Sequence, residues 1–413
     1  MAYGPHGVAH WDGRVLFVRG VAPGDVVRVA IQEEHGSYAY AQVAEVVSPS
    51  PHRRVPPCPY LPRCGGCPWQ HLEYTEQLEA KQANVRDHLE RMAKVSPAPL
   101  AAPVPSPREF GYRQRLSLRV EDRKLGYYAA ASHELVPIEH CLLGMETVNA
   151  ALPLVQELLA RVASNVRRVE VIADATEPEV ALAFEIEGSW LASDERRLLQ
   201  WMERTPMVRG VVLQSKGSRR SHRNPHVVVL PAADIPLVVT AGVFTQVNPA
   251  ANQLLVDAVL RFLEPHRHER IVDAYAGVGN FTFPLAARAA EVLAIEADPA
   301  AAEDLQNNAR RLGTENVRVM RSTAERAFPM LAERGERIDG LVLDPPRSGV
   351  RNALSAVLEL SPPRIVYVSC NSATLARDVA QLSGRYRLEC LQVIDLFPQT
   401  YHSETVAKLV LTC

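Results

Sequence analysis

The stretch RIVDAYAGVGN, residues 270–280, decides the fold of this chain. Its first residues have the apolar character of a buried strand, and the glycines after them form a turn that opens a helix. A second strand-like run, Glu291–Glu296, ends in an acid roughly 20 residues after the turn, where a carboxylate can bond ribose hydroxyls. This order predicts a nucleotide-binding α/β sheet with Gly277 and Glu296 at the ligand.

Helices and strands continue to alternate on both sides of this stretch. Asn248 is a good N-cap, and Pro249 suits the first position of a helix. The predicted elements are helices at 249–263 and 299–312 and strands that end at residues 296, 320, 343 and 369. They predict a doubly wound sheet with helices on both faces. The turn D-x-Y-x-G-x-G looks like that of S-adenosylmethionine-binding proteins, whose ligand has no pyrophosphate, and NAD binding is the alternative.

Cys370 follows the apolar strand that ends at Ser369. A lone cysteine is more often a structural core residue, but the carboxyl end of a parallel strand is where ligands bind. Asp344 ends the strand before it, and two prolines hold the exit of that strand extended. Arg347 stands where amino-group methyltransferases carry an aromatic residue that stacks the base, which disfavours that chemistry. We therefore interpret Cys370 as a functional cysteine.

Composition places the chain among ordinary globular proteins. Its 413 residues are 47% hydrophobic and 22% charged, with a formal net charge of −2, so any nucleic-acid surface must be local. No signal-peptide pattern or run of roughly 18 apolar residues is present, which predicts a cytoplasmic protein without a membrane span. Seven cysteines in a chain of this length favour metal binding or catalysis over a disulfide framework.

The N-terminal residues predict a small β-barrel. Short β-like runs alternate with turn signals from residue 4 to about 48, a spacing typical of a barrel of the oligonucleotide-binding type. An RNA-binding barrel and a barrel that only acts as a spacer are equally consistent with this stretch.

Three cysteines follow the barrel with the spacing C-x5-C-x2-C. They are Cys58, Cys64 and Cys67, and Cys141 lies further along the chain. Prolines and glycines between them allow the open turns through which nearby thiolates converge. Four thiolates suit either a [4Fe–4S] cluster or a closed zinc site.

The middle of the chain combines helix, linker and basic strands. A helical segment is predicted at about 73–95 and a proline-rich linker at 97–107. Beyond the linker, arginines and aromatics interleave in strand-like sequence, which suits RNA phosphates and bases. The candidates are Arg113, Arg115, Arg119, Arg123, Lys124, Phe110, Tyr112, Tyr127 and Tyr128. A second basic run, Lys216–Arg223, sits in a polar loop, and such runs are usually solvated.

Several motifs together resemble the RNA uracil-5-methyltransferases. They are CGGCPWQH at 64–71, FTQVN at 244–248, DPPRSG at 344–349, SCNSATLARD at 369–378 and HSE at 402–404. The opening GPHGVA at 4–9 resembles the TRAM domain, an RNA-binding barrel of such enzymes. Ser372 departs from the proline that is common after Ser-Cys-Asn. The resemblance covers nearly the whole chain.

The resemblance implies the roles of individual residues. It favours an iron–sulfur cluster over zinc at the four cysteines, and it makes Cys370 the nucleophile and Glu404 the base. It implies RNA contacts from Phe244 and Arg347. The implied contacts to S-adenosylmethionine are Gln246, Tyr275, Asn280, Glu296, Thr323 and Asp344.

We accordingly expect a monomer with three regions: a barrel at 1–50, a central α+β domain at 51–243, and a methyltransferase domain at 244–413, on which the helical segment at 73–95 could pack. The expected reaction is methylation of C5 of a uridine, in 23S rRNA first and in tRNA as the alternative. A non-catalytic RNA-binding protein is disfavoured because Cys370, Glu404 and Asp344 are all present. A DNA cytosine-5-methyltransferase is disfavoured because its Pro-Cys motif is absent.

Overall fold

The computed structural model describes residues 1–61 and 63–412. It begins with a four-stranded barrel whose strands occur in the order β1-β2-β4-β3, with β2 and β4 parallel. The strands are β1 (His6–Trp11), β2 (Arg14–Arg19), β3 (Val26–Glu34) and β4 (Tyr38–Ser48). Alternate side chains on β2 and β4 form its small core, which consists of Leu16, Val18, Ala39 and Ala41. No helix in the described residues is long and apolar enough to cross a membrane.

Helix α1 (Tyr74–His88) continues into one π-helical turn, Leu89–Ala93. Val85 and Leu89 are fully buried, and they belong to the same apolar core as the strands of the C-terminal sheet. The helix therefore belongs to the central region in sequence but packs on the C-terminal domain.

The central domain is a mixed seven-stranded sheet in the order β11-β10-β9-β8-β5-β6-β7. Its elements are β5 (Arg115–Glu121), β6 (Lys124–Tyr128), β7 (Leu135–Pro137), α2 (Glu146–Arg161), β8 (Asn165–Ala173), β9 (Val180–Glu187), α3 (Ala192–Arg204), β10 (Val208–Ser215) and β11 (Ser218–Arg223). Helices α2 and α3 cover one face of this sheet, where Val155 and Leu198 meet Phe184. The separate hairpin of β12 (His226–Ala232) and β13 (Ile235–Thr240) lies against the other face, through a small core that includes Val212, Val227 and Ala241.

The C-terminal domain is a seven-stranded sheet in the order β16-β15-β14-β17-β18-β20-β19. Its strands are β14 (Arg270–Ala274), β15 (Glu291–Glu296), β16 (Val317–Arg321), β17 (Gly340–Leu343), β18 (Arg364–Ser369), β19 (Tyr386–Ile394) and β20 (Glu404–Leu411). Its helices are α4 (Pro249–Leu263), α5 (Thr282–Ala286), α6 (Pro299–Leu312), α7 (Ala324–Glu333), α8 (Leu354–Leu360) and α9 (Ser372–Leu382). The first five strands in chain order are parallel and β20 is antiparallel to β18, which confirms the predicted doubly wound fold.

The proline-rich segment after α1 is more ordered than the predicted linker. Leu100 and Val104 form parallel bridges to Leu391 and Ile394 of β19. The amides of Ala101 and Val104 each donate to a carbonyl of that strand at 2.8 Å. The segment thus extends the edge of the C-terminal sheet because it satisfies backbone groups of β19 that would otherwise need water.

Candidate active site

Three chemically active side chains meet where adjacent strands of the C-terminal sheet end. Cys370 follows β18, Asp344 follows β17, and Glu404 begins β20. Ser369, the last residue of β18, pairs with Thr405 in the antiparallel register, so Cys370, which follows it, comes opposite Glu404. The fold therefore brings together a thiol and two carboxyl groups from residues up to 60 positions apart, since 404 minus 344 is 60.

The Cys370 thiol is partly buried among these groups. Burial, together with the charge of Glu404, raises the pKa of the Cys370 thiol to about 11, and the guanidinium of Arg347 opposes this rise. The hydroxyl of Tyr3 donates to the Cys370 carbonyl at 3.3 Å. The N-terminal segment thus contacts the thiol-bearing residue, which nothing in the sequence pattern indicates.

The two carboxyl groups have raised pKa values, and Glu404 is the more deeply buried of the two. Glu404 is 3% exposed, and its Oε1 has no hydrogen-bond partner within the described part of the chain. Burial and the nearby Asp344 raise the pKa of Glu404 well above its usual value. Burial and the neighbouring Asp273 raise the pKa of Asp344 to about 7. Asp344 can therefore carry or release a proton near neutral pH, and Glu404 holds a proton more readily than an ordinary carboxyl group does.

Arg347 is the cation of this group of residues. Its Nη2 lies 3.3 Å from Nε2 of His402, two positions before Glu404. Burial and the charge of Arg347 lower the pKa of His402 to about 4, so this imidazole is neutral at physiological pH. A neutral histidine leaves the guanidinium charge free to act on the thiol or on an anionic substrate.

The loop that carries His402 and Glu404 is fixed by Gln399. This residue is fully buried and has a φ of 72°, in the left-handed region. Its amide donates to Gln77 Oε1 at 2.8 Å, and its side-chain oxygen accepts from Gln77 and Arg54 at 3.1 and 2.7 Å. Its carbonyl accepts from the Trp69 amide at 3.1 Å. The loop before the proposed base is therefore tied to α1 and to the segment just after Cys67.

A buried ion pair fixes the start of the same loop. Lys81 of α1 donates to Asp395 at 2.7 Å, and both side chains are fully inaccessible to water. Lys81 also donates to the Phe397 carbonyl at 3.0 Å. Removing one partner would leave a buried unpaired charge, so this pair holds α1 against the loop.

The glycine turn after β14 has the open geometry of a ligand cradle. Tyr275, Gly277 and Gly279 all have positive φ, at 63°, 55° and 101°. A Cβ at Gly279 would lie 2.3 Å from the ring of Phe283, whereas one at Gly277 would meet nothing within 4 Å. The turn therefore packs tightly on one side and faces open space on the other.

Glu296 closes this cradle from the neighbouring strand. Its two carboxylate oxygens accept from the amides of Gly277 and Asp298 at 2.7 and 2.6 Å. Asp273, fully buried at the end of β14, accepts from the Thr282 hydroxyl at 2.5 Å, and burial raises its pKa to about 7. The hydroxyl of Tyr275 and Oδ1 of Asp273 lack hydrogen-bond partners among the described residues, as a site that accepts a polar ligand would leave them.

The other predicted cofactor residues have different surroundings. The Asn280 amide exchanges two hydrogen bonds with that of Asn252, at 2.8 and 3.0 Å, so its polar atoms are already used within the protein. Thr323 is exposed just before α7, beside Ser322, whose amide donates to the Glu296 carbonyl at 3.0 Å. Gln246 is partly buried in the segment that enters α4.

The four predicted metal-binding cysteines line one cavity. Cys58, Cys64, Cys67 and Cys141 surround a space of about 70 Å³, together with Arg113 and Tyr127. Burial and the neighbouring Cys141 raise the pKa of the Cys67 thiol to about 12. No group of three or more His, Cys, Asp or Glu side chains converges tightly enough to hold a single metal ion in residues 1–61 and 63–412. The cysteines are thus neighbours around a cavity, not a preformed one-ion site.

The predicted RNA-contacting residues separate into two groups. Arg113 lies against the cysteine cavity and the Tyr112 ring, and its contact with RNA stays a prediction. Arg115 instead lies under the ring of Phe244, with its guanidinium carbon 4.9 Å from the ring centroid, and Phe244 is 64% exposed. Lys124 and Arg347 are exposed as predicted. An exposed aromatic ring supported by an arginine suits a base or ribose.

Comparison with known proteins identifies the family. The family model described as tRNA (Uracil-5-)-methyltransferase matches residues 73–411, and the TRAM domain model matches residues 3–44. An uncharacterized RNA methyltransferase of Aquifex aeolicus is 35% identical, with 99% of this chain and 96% of the relative covered. The 23S rRNA (uracil(1939)-C(5))-methyltransferase RlmD of Alkalilimnicola ehrlichii is 36% identical, with 97% and 93% covered.

A solved structure shares the whole fold. The Pyrococcus abyssi tRNA (uracil-54, C5)-methyltransferase, determined with S-adenosyl-L-homocysteine, superposes with a TM-score of 0.73 at 24% identity, and 98% of each chain is covered. The chain belongs to the tRNA (uracil-5-)-methyltransferase family and is an S-adenosylmethionine-dependent RNA uracil-C5 methyltransferase, which confirms the recognition made from its motifs.

Proposed function

We propose that this enzyme methylates C5 of a specific uridine in 23S rRNA through a covalent bond between Cys370 and C6 of the uracil, and that it acts as a cytoplasmic monomer. The observation that carries the mechanism is the register that sets Cys370 opposite Glu404, with Asp344 at the same edge of the sheet. Relatives named as 23S rRNA methyltransferases at 32–36% identity support the substrate.

A thiol is needed because C5 of uracil is a poor nucleophile. When the Cys370 thiolate adds to C6, a C6–S bond forms and the electron pair of the C5–C6 double bond becomes available at C5. Covalent addition thus divides one difficult step into two easier ones. The thiol must lose its proton first, and Arg347 favours this step because its charge keeps the pKa of Cys370, about 11, from rising further under burial and the two carboxyl groups.

Glu404 completes the cycle as the base. After the methyl group is attached, C5 still carries its original proton. Transfer of that proton to Glu404 restores the C5–C6 double bond, and the C6–S bond breaks with return of the electron pair to Cys370. The unpartnered Oε1 of Glu404 supports this role because it is an acceptor without a partner in a dry site.

The crevice at the glycine turn suits S-adenosylmethionine, which supplies the methyl group as an electrophilic sulfonium. Glu296 and the Tyr275–Gly279 turn would hold its ribose and amino-acid parts, and Asp344 would border its reactive end. Gln246 and Thr323 remain proposed contacts. Asn280 would act through Asn252, because its amide is paired with that residue. The unpartnered Tyr275 hydroxyl and the open space at Gly277 support this fit.

Glu296→Ala tests the cofactor crevice. The substitution removes an acceptor for two ribose hydroxyls, each typically worth about 0.5–1.5 kcal/mol, and frees the Gly277 amide that positions the turn. We expect S-adenosylmethionine to bind roughly tenfold or more weakly in isothermal calorimetry. Glu303→Ala on the same domain is the control, and unchanged affinity of Glu296→Ala would move the ribose elsewhere.

The cysteine cavity suits a [4Fe–4S] cluster better than zinc. A single tetrahedral zinc ion with bonds of about 2.3 Å draws its four sulfurs to roughly 3.8 Å from one another, whereas these cysteines line a cavity of about 70 Å³. The cysteines of a cluster each bind a different iron, so they surround a larger space. Cys58, Cys64, Cys67 and Cys141 would hold it. Nothing in the methyl transfer needs an electron, so its role is structural.

The target uridine must leave its stack to reach Cys370. C6 of a paired, stacked uracil is inaccessible to a thiolate, so the base is flipped towards the strand ends. Phe244 and Arg115 suit a stacking site for the extruded nucleotide or its neighbour, and Arg347 and Lys124 suit phosphate contacts.

Mapping 5-methyluridine in the RNA of cells with and without this protein tests the substrate. We expect one uridine of 23S rRNA to lose its methyl group in the deletion and to regain it on complementation. Loss from tRNA alone would favour the tRNA alternative, which the P. abyssi fold also allows. If neither RNA loses 5-methyluridine in the deletion, and the purified protein still binds RNA, a non-catalytic RNA-binding role would be favoured.

A further inference from the structure

The hairpin of β10 and β11 carries a basic surface that methyl transfer does not explain. Residues 204–233 contain six lysines and arginines and no aspartate or glutamate, although the whole chain has a formal net charge of −2. Lys216 is at the exposed tip of the hairpin, and Arg219 and Arg220 follow on the outer strand, all exposed. Within the described residues, neither Lys216 nor Arg219 has an acid within 4 Å, although the charge of Arg219 lies near enough to Asp304 to oppose the rise in the pKa of that carboxyl group.

Other arginines of the same sheet are neutralised. Arg168 pairs with Glu185 and Arg167 with Glu187, each at 2.7 Å. His222 on the hairpin lies 3.2 Å from Glu195. The charge of Lys216 and Arg219 is therefore a local feature of this hairpin and not a property of the whole domain surface.

The register of the hairpin shows which side each residue faces. Arg219 is opposite Gln214 and Ser221 is opposite Val212, so Arg219 shares its face with Val212, which packs with Ala241 beside the β12–β13 hairpin. Arg220 is opposite Leu213, which belongs to the core under α2 and α3. Two adjacent exposed arginines thus project to opposite faces of the sheet.

Arg219 is connected to the predicted base-stacking site. Its Nη2 donates to the Ala241 carbonyl at 3.2 Å. Ala241 is three residues before Phe244, a separation of at most about 11 Å along an extended chain. Arg219 is therefore anchored to the segment that leads into Phe244.

We propose that Lys216 and Arg219 bind the phosphate backbone of the RNA next to the flipped uridine. The inference rests on the proposed methylation of RNA and adds a surface that holds the strand beyond the Phe244–Arg115 pair. Charged side chains on an edge strand also prevent edge-to-edge association of sheets, and that role is the competing explanation. Charge reversal distinguishes phosphate binding from protection of the sheet edge. Glutamates prevent edge-to-edge association as well as lysine does, but they repel phosphate.

The test compares the double variant Lys216→Glu/Arg219→Glu with wild type, using unmodified 23S rRNA transcript and measuring binding over a range of salt concentrations. Losing two phosphate contacts should reduce the slope of log affinity against log salt by about 1.5 and weaken binding roughly thirtyfold at 0.1 M salt. The loss should appear in KM for RNA, whereas affinity for S-adenosylmethionine stays unchanged. Arg219→Lys, which keeps the charge, should retain the wild-type salt slope.

The matched control is Arg267→Glu/Arg334→Glu. Both arginines are exposed, and they lie at the opposite end of the C-terminal sheet, before β14 and β17 begin. Their replacement by glutamate changes the net charge of the protein by the same amount as Lys216→Glu/Arg219→Glu. Arg220→Glu, on the other face of the hairpin, should weaken binding less than Arg219→Glu. An unchanged salt slope in Lys216→Glu/Arg219→Glu, or an equal loss in the control pair, overturns the inference. If the wild-type enzyme methylates only a tRNA transcript, the proposal of an rRNA substrate is wrong instead. The same salt slopes, measured with tRNA, would then test whether the hairpin binds the RNA backbone.

Discussion

The two cysteine sites of this enzyme use the same side chain in opposite surroundings. Cys370 stands alone at a strand end and faces two carboxyl groups and an arginine. Cys58, Cys64, Cys67 and Cys141 face one another around a cavity built from irregular segments. Burial raises thiol pKa values at both sites, so the pKa shift alone does not distinguish them. The neighbouring side chains distinguish the two sites, because a catalytic thiol needs a base and a side open to substrate, whereas thiols that bind a metal need to lie close to one another.

The two sites are also connected. Trp69, two residues after Cys67, donates its amide to Gln399, and Gln399 lies five residues before Glu404. The cysteine segment therefore helps to hold the loop that delivers the base opposite Cys370. Changes at the two sites should have different primary effects, on chemistry at one and on folding at the other.

Of the substitutions that compare the two cysteine sites, Cys370→Ala should cause the largest loss of methylation activity. Without the thiol, no bond to C6 can form, so we expect methylation to fall by roughly 10⁴-fold or more while the melting temperature stays near that of wild type. Cys390→Ala on the edge strand β19 is the matched control and should keep its activity. Methyl transfer is measured with labelled S-adenosylmethionine and folding by thermal denaturation. A folded, active Cys370→Ala enzyme would end the covalent mechanism.

Glu404→Gln should stop the cycle at a later step. Addition and methyl transfer stay possible, but the C5 proton has no acceptor, and loss of general base catalysis typically costs about 10²–10⁴-fold. We expect a methylated RNA linked to Cys370 to accumulate and to survive denaturing electrophoresis. The Cys370→Ala/Glu404→Gln double variant should show no such band. Normal turnover of Glu404→Gln would assign the proton transfer to another group, of which Asp344 is the nearest candidate.

Cys67→Ser should act on folding first. We expect loss of iron and acid-labile sulfide from protein purified without oxygen, and a melting temperature lower by roughly 5–10 °C if about 3 kcal/mol is lost. Activity should fall through displacement of the Gln399 loop, with affinity for S-adenosylmethionine retained. Cys390→Ser controls for the loss of a thiol. Stoichiometric zinc without iron in the wild-type protein would replace the cluster with a zinc site.

Local sequence patterns could predict the parts of these sites that lie along single strands. The apolar runs before Cys370 and Asp344 set both residues at strand ends because parallel strands of a doubly wound sheet share one ligand edge. The spacing of Cys58, Cys64 and Cys67 likewise indicated a shared ligand. By contrast, the position of Glu404 opposite Cys370 depends on insertion of β20 between β18 and β19, which no local pattern encodes.

Long-range polar contacts could not be predicted at all. Gln77 and Gln399 are 322 residues apart in sequence, and Lys81 and Asp395 are 314 apart, so neither pair leaves a periodic signal. Arg113 shows a further limit of spacing as a guide. It is two positions before Arg115, as if on the same strand face, but it pairs with Gly144 outside β5 and lies at the cysteine cavity. Spacing predicts a shared face only while the strand continues.

Arg347→Gln should have the smallest and most specific effect. The guanidinium lowers the pKa of the Cys370 thiol against the effects of burial and Glu404, so its removal should raise that pKa further above about 11. At a fixed pH below the pKa the thiolate fraction then falls, about tenfold for a shift of one unit. The rate of alkylation of Cys370 by iodoacetamide, followed by peptide mass mapping without RNA, should fall by that factor.

The absence of RNA from this measurement separates two roles of Arg347. If the arginine only held phosphate, alkylation would be unchanged and the loss would appear only in KM for RNA. Arg347→Lys keeps the charge and should retain most of the alkylation rate, although a lysine cannot keep the planar contact with His402. Arg347 acts on the pKa of the Cys370 thiol, whereas Arg113 is the arginine that lowers the pKa of the Cys67 thiol. The alkylation of Cys67 should therefore not change in either variant. A fall at Cys370 alone would show that its carboxylate and arginine neighbours, and not burial in general, distinguish the catalytic thiol from the other cysteine site.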